Sequence, residues 1–337
     1  MADTAPPSTL TMGSPSGRFE HVTVLRDAVV AMLESGPAGL VVDCTLGGGG
    51  HSEALLEARE DWHVLGLDRD EQALAAARDR LARFGRRFTA VHAPFSSLGE
   101  VLDARGQQTI AGLVADLGVS SHQLDVPERG FSFRTPGPLD MRMDTSRGAP
   151  LRERLEGMDV RELADVLYAY GDVRASIRAA KAVLYALADG VDDTAALAER
   201  IARRLPKRGR IHPATQVFQA LRIWVNDELG ELDALLDVAP TRLAPDATMA
   251  VISFHSGEDR QVKQRFRVLG PKRGGAFAQV RRSVAKPGAA EQSLNPRARS
   301  ARLRGLTRLG EPEGGLRGEG EGEPRAGRDE ERGEDAG

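Results

Sequence analysis

Residues 41–52 read VVDCTLGGGGHS: an apolar run, an Asp, four consecutive glycines, then His51 and Ser52. A strand that ends in a bare glycine turn and opens a helix presents unshielded backbone N–H groups and a positive helix end, which suits an anionic ligand group. A triphosphate loop needs Lys followed by Ser or Thr after its glycines, and His51-Ser52 stand there instead. A dinucleotide fingerprint, G-x-G-x-x-G, meets Ser52 at its third glycine when started from Gly47 and Glu53 when started from Gly48. Asp68 ends the next apolar run, 18 positions after Gly50, close to where an acidic side chain reads a ribose diol. The ligand is read as a nucleoside that need carry no phosphate. S-adenosylmethionine satisfies this, with its methionyl amino and carboxylate groups along the glycine turn and its ribose at Asp68. Phe95, after a third run, either stacks on adenine or belongs to the core. The alternative role for Asp68 is the N-cap of the following helix.

The elements that must hold these residues are short apolar runs: Leu40–Thr45, His63–Asp68, Phe88–His92, Gly112–Leu117 and Met249–His255. Helical spacing separates the first three, over Ser52–Arg59 and Asp70–Phe84, the latter with Leu74, Ala77 and Leu81 on one face. This alternation predicts an α/β fold with a parallel sheet and helices on both faces. After Asp116 the pattern changes to loops and helices, with helices expected over Asp159–Tyr170, Arg174–Ala188 and Thr194–Leu205. Residues 125–207 are therefore read as an inserted helical domain, with residues 19–124 and 208–309 forming the sheet domain. A single long helix is expected from Pro213 to about Val238. A closing hairpin is expected from Ala278–Ser283 and Ala301–Leu309.

The 337 residues include no apolar stretch long enough to span a membrane. Residues 1–18 read as a disordered leader rather than a signal peptide, and residues 310–337 as a disordered acidic tail. Cys44, the one cysteine, fits a reducing, cytoplasmic setting. No metal site is expected, because the seven histidines lack ligand spacing. The net charge of −3 conceals segregation: −10 over residues 1–259, +13 over 260–308 and −6 over 309–337. The basic segment suggests a polyanion partner or a solvated surface.

Several ordered blocks carry a resemblance: HVTVL at 21–25, GGGGHS at 47–52, ADLGVSSHQLD at 115–125, ERGFSFRTPGPLDMRMD at 128–144, IHPATQVFQALRIWVNDEL at 211–229, VISFHSGEDRQVK at 251–263 and NPRARSARLR at 295–304. Over about residues 19–309 the chain resembles the small-subunit ribosomal RNA methyltransferase H family. The resemblance implies a Rossmann-like, class I S-adenosylmethionine-dependent methyltransferase sheet with an inserted helical domain that recognises substrate. It also implies N4-methylation of a decoding-centre cytosine of 16S rRNA in the small ribosomal subunit. Gly49, Gly50 and His51 would hold the methionine end of the donor, Asp68 the ribose and Phe95 the adenine. Asp116 and Gln123 would complete the pocket. The chain departs from the family pattern at Gly48, usually Arg, at His122, usually Pro, at Gln216, usually Arg, and at Gly257, usually Leu. Its segment between Val268 and Ala278 is also short.

The chemistry at the exocyclic amine needs its lone pair localised and aligned with the methyl carbon. The D-P-P-Y-like motif of many amino-methyltransferases is replaced by Asp116-Leu117-Gly118-Val119, so the resemblance alone carries the choice of amine. Cytosine C5 chemistry requires a cysteine nucleophile, and Cys44 reads as a small buried apolar residue. Asp116 is the residue expected to touch both donor and amine. Arg142 either meets RNA phosphate or pairs with Asp140 or Asp144. Gln219, Arg222 and Asn226 form a polar stripe expected to face substrate, and Trp224 is assigned to the core. Asn295, Arg297 and Arg299 fit phosphate contacts. A homodimer is compatible with this reading.

Overall fold

A computed structural model describes residues 23–310, except 208, 210, 272–274 and 281–283. The leader read at 1–18 and the acidic tail beyond Gly310 lie outside the described residues. The first half runs α1 (Arg26–Leu33), β1 (Gly39–Asp43), α2 (Gly50–Ala58), β2 (Trp62–Asp68), α3 (Glu71–Leu81), β3 (Phe88–His92), α4 (Leu98–Asp103) and β4 (Ile110–Asp116). Helices follow: α5 (Ser121–Asp125), α6 (Leu151–Arg154), α7 (Val160–Gly171), α8 (Ser176–Ala188), α9 (Thr194–Arg204), α10 (Ala214–Asn226) and α11 (Glu228–Arg242). The chain closes with β5 (Leu243–Ser253), α12 (Ser256–Leu269), β6 (Phe277–Gln279), α13 (Ala289–Leu294) and β7 (Arg302–Arg308).

The strands form one sheet in the order β3-β2-β1-β4-β5-β7-β6. The first five are parallel, and β7 runs antiparallel to both β5 and β6. Side chains alternate across the sheet. Val42, Leu113, Met249 and Val251 enter one apolar cluster, while Val41, Val114, Ala250 and Ile252 enter the other. Burial on both faces explains the uninterrupted apolar runs. Helix α3 shows how local signals place a helix on this sheet. Asp70 caps it by accepting the Gln72 N–H at 3.1 Å, and Leu74, Ala77 and Leu81 are its buried face. Truncating either leucine to alanine would cost about 2–5 kcal/mol.

A third apolar cluster lies among the helices, joining Leu163, Leu167, Val183, Leu197 and Ile201 to Val217 and Leu221 of α10. Helix α11 instead buries Leu232, Leu235, Leu236 and Ala239 against the sheet. These different partners explain the main departure from expectation: the single helix from Pro213 to about Val238 is two helices. They meet at Asp227, which is left-handed at φ 48°, a conformation Asp tolerates better than most residues. The closing hairpin has the expected antiparallel pairing. Its first strand is shorter, and residues 281–283 of the expected run lie outside the described residues. Strand β5 stops at Ser253, because His255 turns to cap α12.

Candidate active site

The parallel order around β1 and β4 creates a switch point, where open α/β sheets bind ligands beyond the strand carboxyl ends. The glycine turn sits there. Gly47 and Gly49 have φ of 49° and 80°, and Gly49 opens α2 with no side-chain cap. A Cβ on Gly50 would lie 1.9 Å from the Thr23 hydroxyl oxygen, whereas one on Gly48 would meet nothing within 4 Å. Two bonds fix the turn to its neighbours. Gly47 N–H donates to Asp68 Oδ2 at 2.7 Å, and Asp116 N–H donates to Thr45 Oγ1 at 2.6 Å. Asp68 Oδ1 accepts the Asp70 N–H at 2.9 Å. Asp68 is therefore not the cap of α3; Asp70 is. Burial pushes the Asp68 carboxyl up to about 6 against these bonds.

His51 is 5% exposed, and neither ring nitrogen has a hydrogen-bond partner. Its Nε2 stands 3.5 Å from Asp116 Oδ2, an ion-pair distance without hydrogen-bond geometry. Asp116 Oδ1 is likewise buried and unpartnered. Burial alone would lower the His51 pKa, but Asp116 and fully buried Asp43 outweigh it, so the imidazole titrates above its ordinary value. Asp43 is raised by burial and accepts the Ser52 Oγ–H at 2.7 Å. Buried polar atoms are rarely left unpaired. Those of His51 and Asp116, beside a glycine turn crowded at Gly49 and Gly50, fit a ligand that brings both donors and acceptors. The methionyl group of S-adenosylmethionine has both, and its ribose hydroxyls suit Asp68.

Behind this edge lies a buried polar layer. Asp70 Oδ2 accepts Gln123 Nε2 at 2.8 Å and Arg129 Nη1 at 2.6 Å. Arg129 Nη2 donates to the carbonyls of Arg142 and Met143. Asn226 Nδ2 donates to Met141 O, and its Oδ1 accepts the Met143 N–H, both at 2.7 Å. Met141, buried at φ 61°, is thus gripped on both sides. Arg222 makes a two-pronged pair with Glu228 at 2.7 and 2.8 Å. Glu258, 2% exposed, accepts the Phe254 N–H and pairs with His255 at 3.0 Å. Contact with His255 and Arg222 outweighs burial and holds its carboxyl below the usual range.

The structure thus brings Gly49, Gly50, His51, Asp68 and Asp116 together. Phe95 follows Ala93, whose N–H donates to Asp68 O, and its ring faces the Arg69 guanidinium at 5.6 Å. Gln123 spends its amide on Asp70 and on the Ser120 N–H, closing a capping box. Arg142 pairs with Asp140 at 2.7 and 2.9 Å and donates to Thr145 O and Gly148 O. Of the polar stripe, Gln219 is half-buried, while Arg222 and Asn226 engage protein groups. Trp224 packs against the helical core under the Arg154 guanidinium. Asn295 accepts the Arg297 N–H, Arg297 pairs with Asp125 at 2.6 Å, and Arg299 is exposed. Among the described residues, four arginines of the basic segment pair with acids from earlier in the chain. Asp259 takes Arg302 and Arg304, and Asp233 and Asp237 take Arg265. Sequence reasoning missed Asp43, Thr45, Asp70 and Arg129. The S/T-x-x-Q pattern of Ser120–Gln123 was the available signal for the capping box. Cys44 is buried, and burial pushes its thiol well above the usual value.

Comparison with known proteins adds sequence to this geometry. The MraW methylase family matches residues 18–309. The ribosomal RNA small subunit methyltransferase H of Anaeromyxobacter dehalogenans (strain 2CP-1 / ATCC BAA-258) is 48% identical over 313 residues, covering 87% of this chain and 99% of that protein. Proteins of the same name from Sorangium cellulosum (strain So ce56) and Synechococcus sp. (strain CC9605) are each 48% identical. They align over 86% of this chain and over 91% and 98% of their own lengths.

Proposed function

This chain belongs to the MraW methylase family, and from that membership we propose that it methylates N4 of a decoding-centre cytosine in 16S rRNA of the small ribosomal subunit. The donor is S-adenosylmethionine. The supporting observation is the buried His51 imidazole and the buried Oδ1 atom of Asp116, both without a hydrogen-bond partner, beside the glycine turn. Bound there, the donor supplies an electrophilic methyl group on a sulfonium sulfur. The turn and the uncapped start of α2 orient its carboxylate end. His51 hydrogen-bonds that same end, and Asp68 takes the ribose. Phe95 flanks the adenine, with Gln123 steadying the pocket through Asp70. Asp116 Oδ1 accepts an N4–H bond, which localises the amine lone pair. Cys44, buried with a raised pKa, supports amine over ring-carbon chemistry.

Residues 125–207 are proposed as the substrate-recognition insertion in a methyltransferase domain made of 19–124 and 208–309. Gln219, Asn295, Arg297 and Arg299 are proposed to meet RNA directly. Arg142, Arg222 and Asn226 shape the loop and wall beside it. Nucleoside mass spectrometry of 16S rRNA, from cells with and without the gene, tests the reading. Loss of N4-methylated cytidine on deletion, restored by the wild-type gene but not by Asp116→Ala, is the expected result. An unchanged nucleoside profile would refute it.

A further inference from the structure

Helix α8 divides sharply into two faces. Ala179, Ala180, Ala182, Val183, Ala186 and Leu187 are buried in the helical core. The opposite face exposes Ile177, Arg178, Lys181 and Tyr185, with Arg174 just before the helix. Residues three and four apart share a helical face, so Arg178, Lys181 and Tyr185 form one stripe, with Arg174 exposed in the turn that leads into it, and Arg178 to Tyr185 spans about 10 Å at 1.5 Å per residue. Residues 173–188 contain no Asp or Glu. Among the described residues, none of the three cations takes part in an ion pair, whereas Arg200 and Arg203 on α9 have theirs. The stripe also starts beside the catalytic edge. Asp172, two residues before Arg174, accepts a hydrogen bond at 3.4 Å from Ser256 Oγ at the start of α12, next to its cap His255.

Resting on the function proposed above, we propose that the α8 stripe of Arg174, Arg178, Lys181 and Tyr185 is a docking face for the RNA phosphate backbone flanking the target base. Three unneutralised cations complement a polyanion, and Arg and Lys contacts to phosphate set register without reading sequence. Tyr185, half-exposed at the far end, offers a ring for an unstacked base. The face begins beside the start of α12, which follows β5, the strand whose Ile252 pairs with Asp116.

The test compares wild type with R174A/R178A/K181A and with the charge-retaining R174K/R178K. The probes are a 16S rRNA fragment spanning the decoding region and the purified small subunit. Each neutralised phosphate contact contributes about 0.7–0.9 to the slope of log K against log salt, so the alanine variant should lose about 2 from that slope. Its KM for RNA should rise at least tenfold with donor affinity and kcat unchanged, and the lysine variant should behave as wild type. An unchanged slope and KM in the alanine variant overturn the proposal. If wild type transfers no methyl group to RNA yet shows the slope difference, the functional reading fails and the docking face stands.

Discussion

The Asp68 carboxyl titrates near 6 rather than 3.8 because burial penalises its charge more than the Gly47 and Asp70 N–H groups favour it. On the ribose contact proposed for Asp68, the diol donates to the ionised form, so donor binding drives the proton off. With a free-state pKa of about 6, about nine-tenths of the protein carries the anion at pH 7 and about one-tenth at pH 5. Donor affinity should therefore fall about tenfold between those values, near 1.4 kcal/mol. Titration calorimetry with S-adenosylhomocysteine, run at pH 6 in buffers of different ionisation enthalpy, should detect about half a proton released per ligand. Asp68→Asn should abolish that release and weaken binding by about 1.5–3 kcal/mol, the range for a hydrogen bond to a charged group. The stability linkage has its own sign. An acid whose folded pKa is raised stabilises the fold below its unfolded value and loses that contribution as pH rises through about 6. The shift amounts to about 2–3 kcal/mol, so the stability of D68N relative to wild type should rise between pH 4 and pH 7. Equal proton release from wild type and D68N, or a flat affinity profile in wild type, would refute the reasoning.

Other perturbations separate the parts of the site. Gly50→Ala forces the new methyl into Thr23 and should destabilise by about 1–3 kcal/mol, while Gly48→Ala faces open space and should leave thermal stability and donor affinity near wild type. Arg129→Met strands Asp70 as a buried charge and should cost about 3–5 kcal/mol by denaturant titration; D70N/R129M should recover part of that loss. Asp116→Asn should lower single-turnover methylation by about 10²–10⁴; a change below threefold would remove Asp116 from the chemistry.

What could be read in advance divides by the range of the interactions. The five parallel strands and α3 carry their own signals, in apolar runs and in Leu74, Ala77 and Leu81. The turn at Gly47–Gly50 declares itself through four glycines. The break at Asp227 was hidden, because it depends on which core each half-helix reaches, and an amphipathic period does not name its partner. Asp70 and Arg129 are 59 positions apart and meet only after folding. The ion pairs made by residues 260–308 were hidden for the same reason. Asp259, Asp233 and Asp237 meet Arg302, Arg304 and Arg265 through packing rather than adjacency.

The guanidinium of Arg129 has a consequence for how the site comes into being. It joins the residue that starts α3 to a loop more than seventy positions later, and Asn226 grips that loop from a third direction. A fragment trimmed to its sheet would inherit the glycines without the floor beneath them. Competence for the methyl donor is therefore a property of the whole weave, acquired only when the last of these distant segments has arrived.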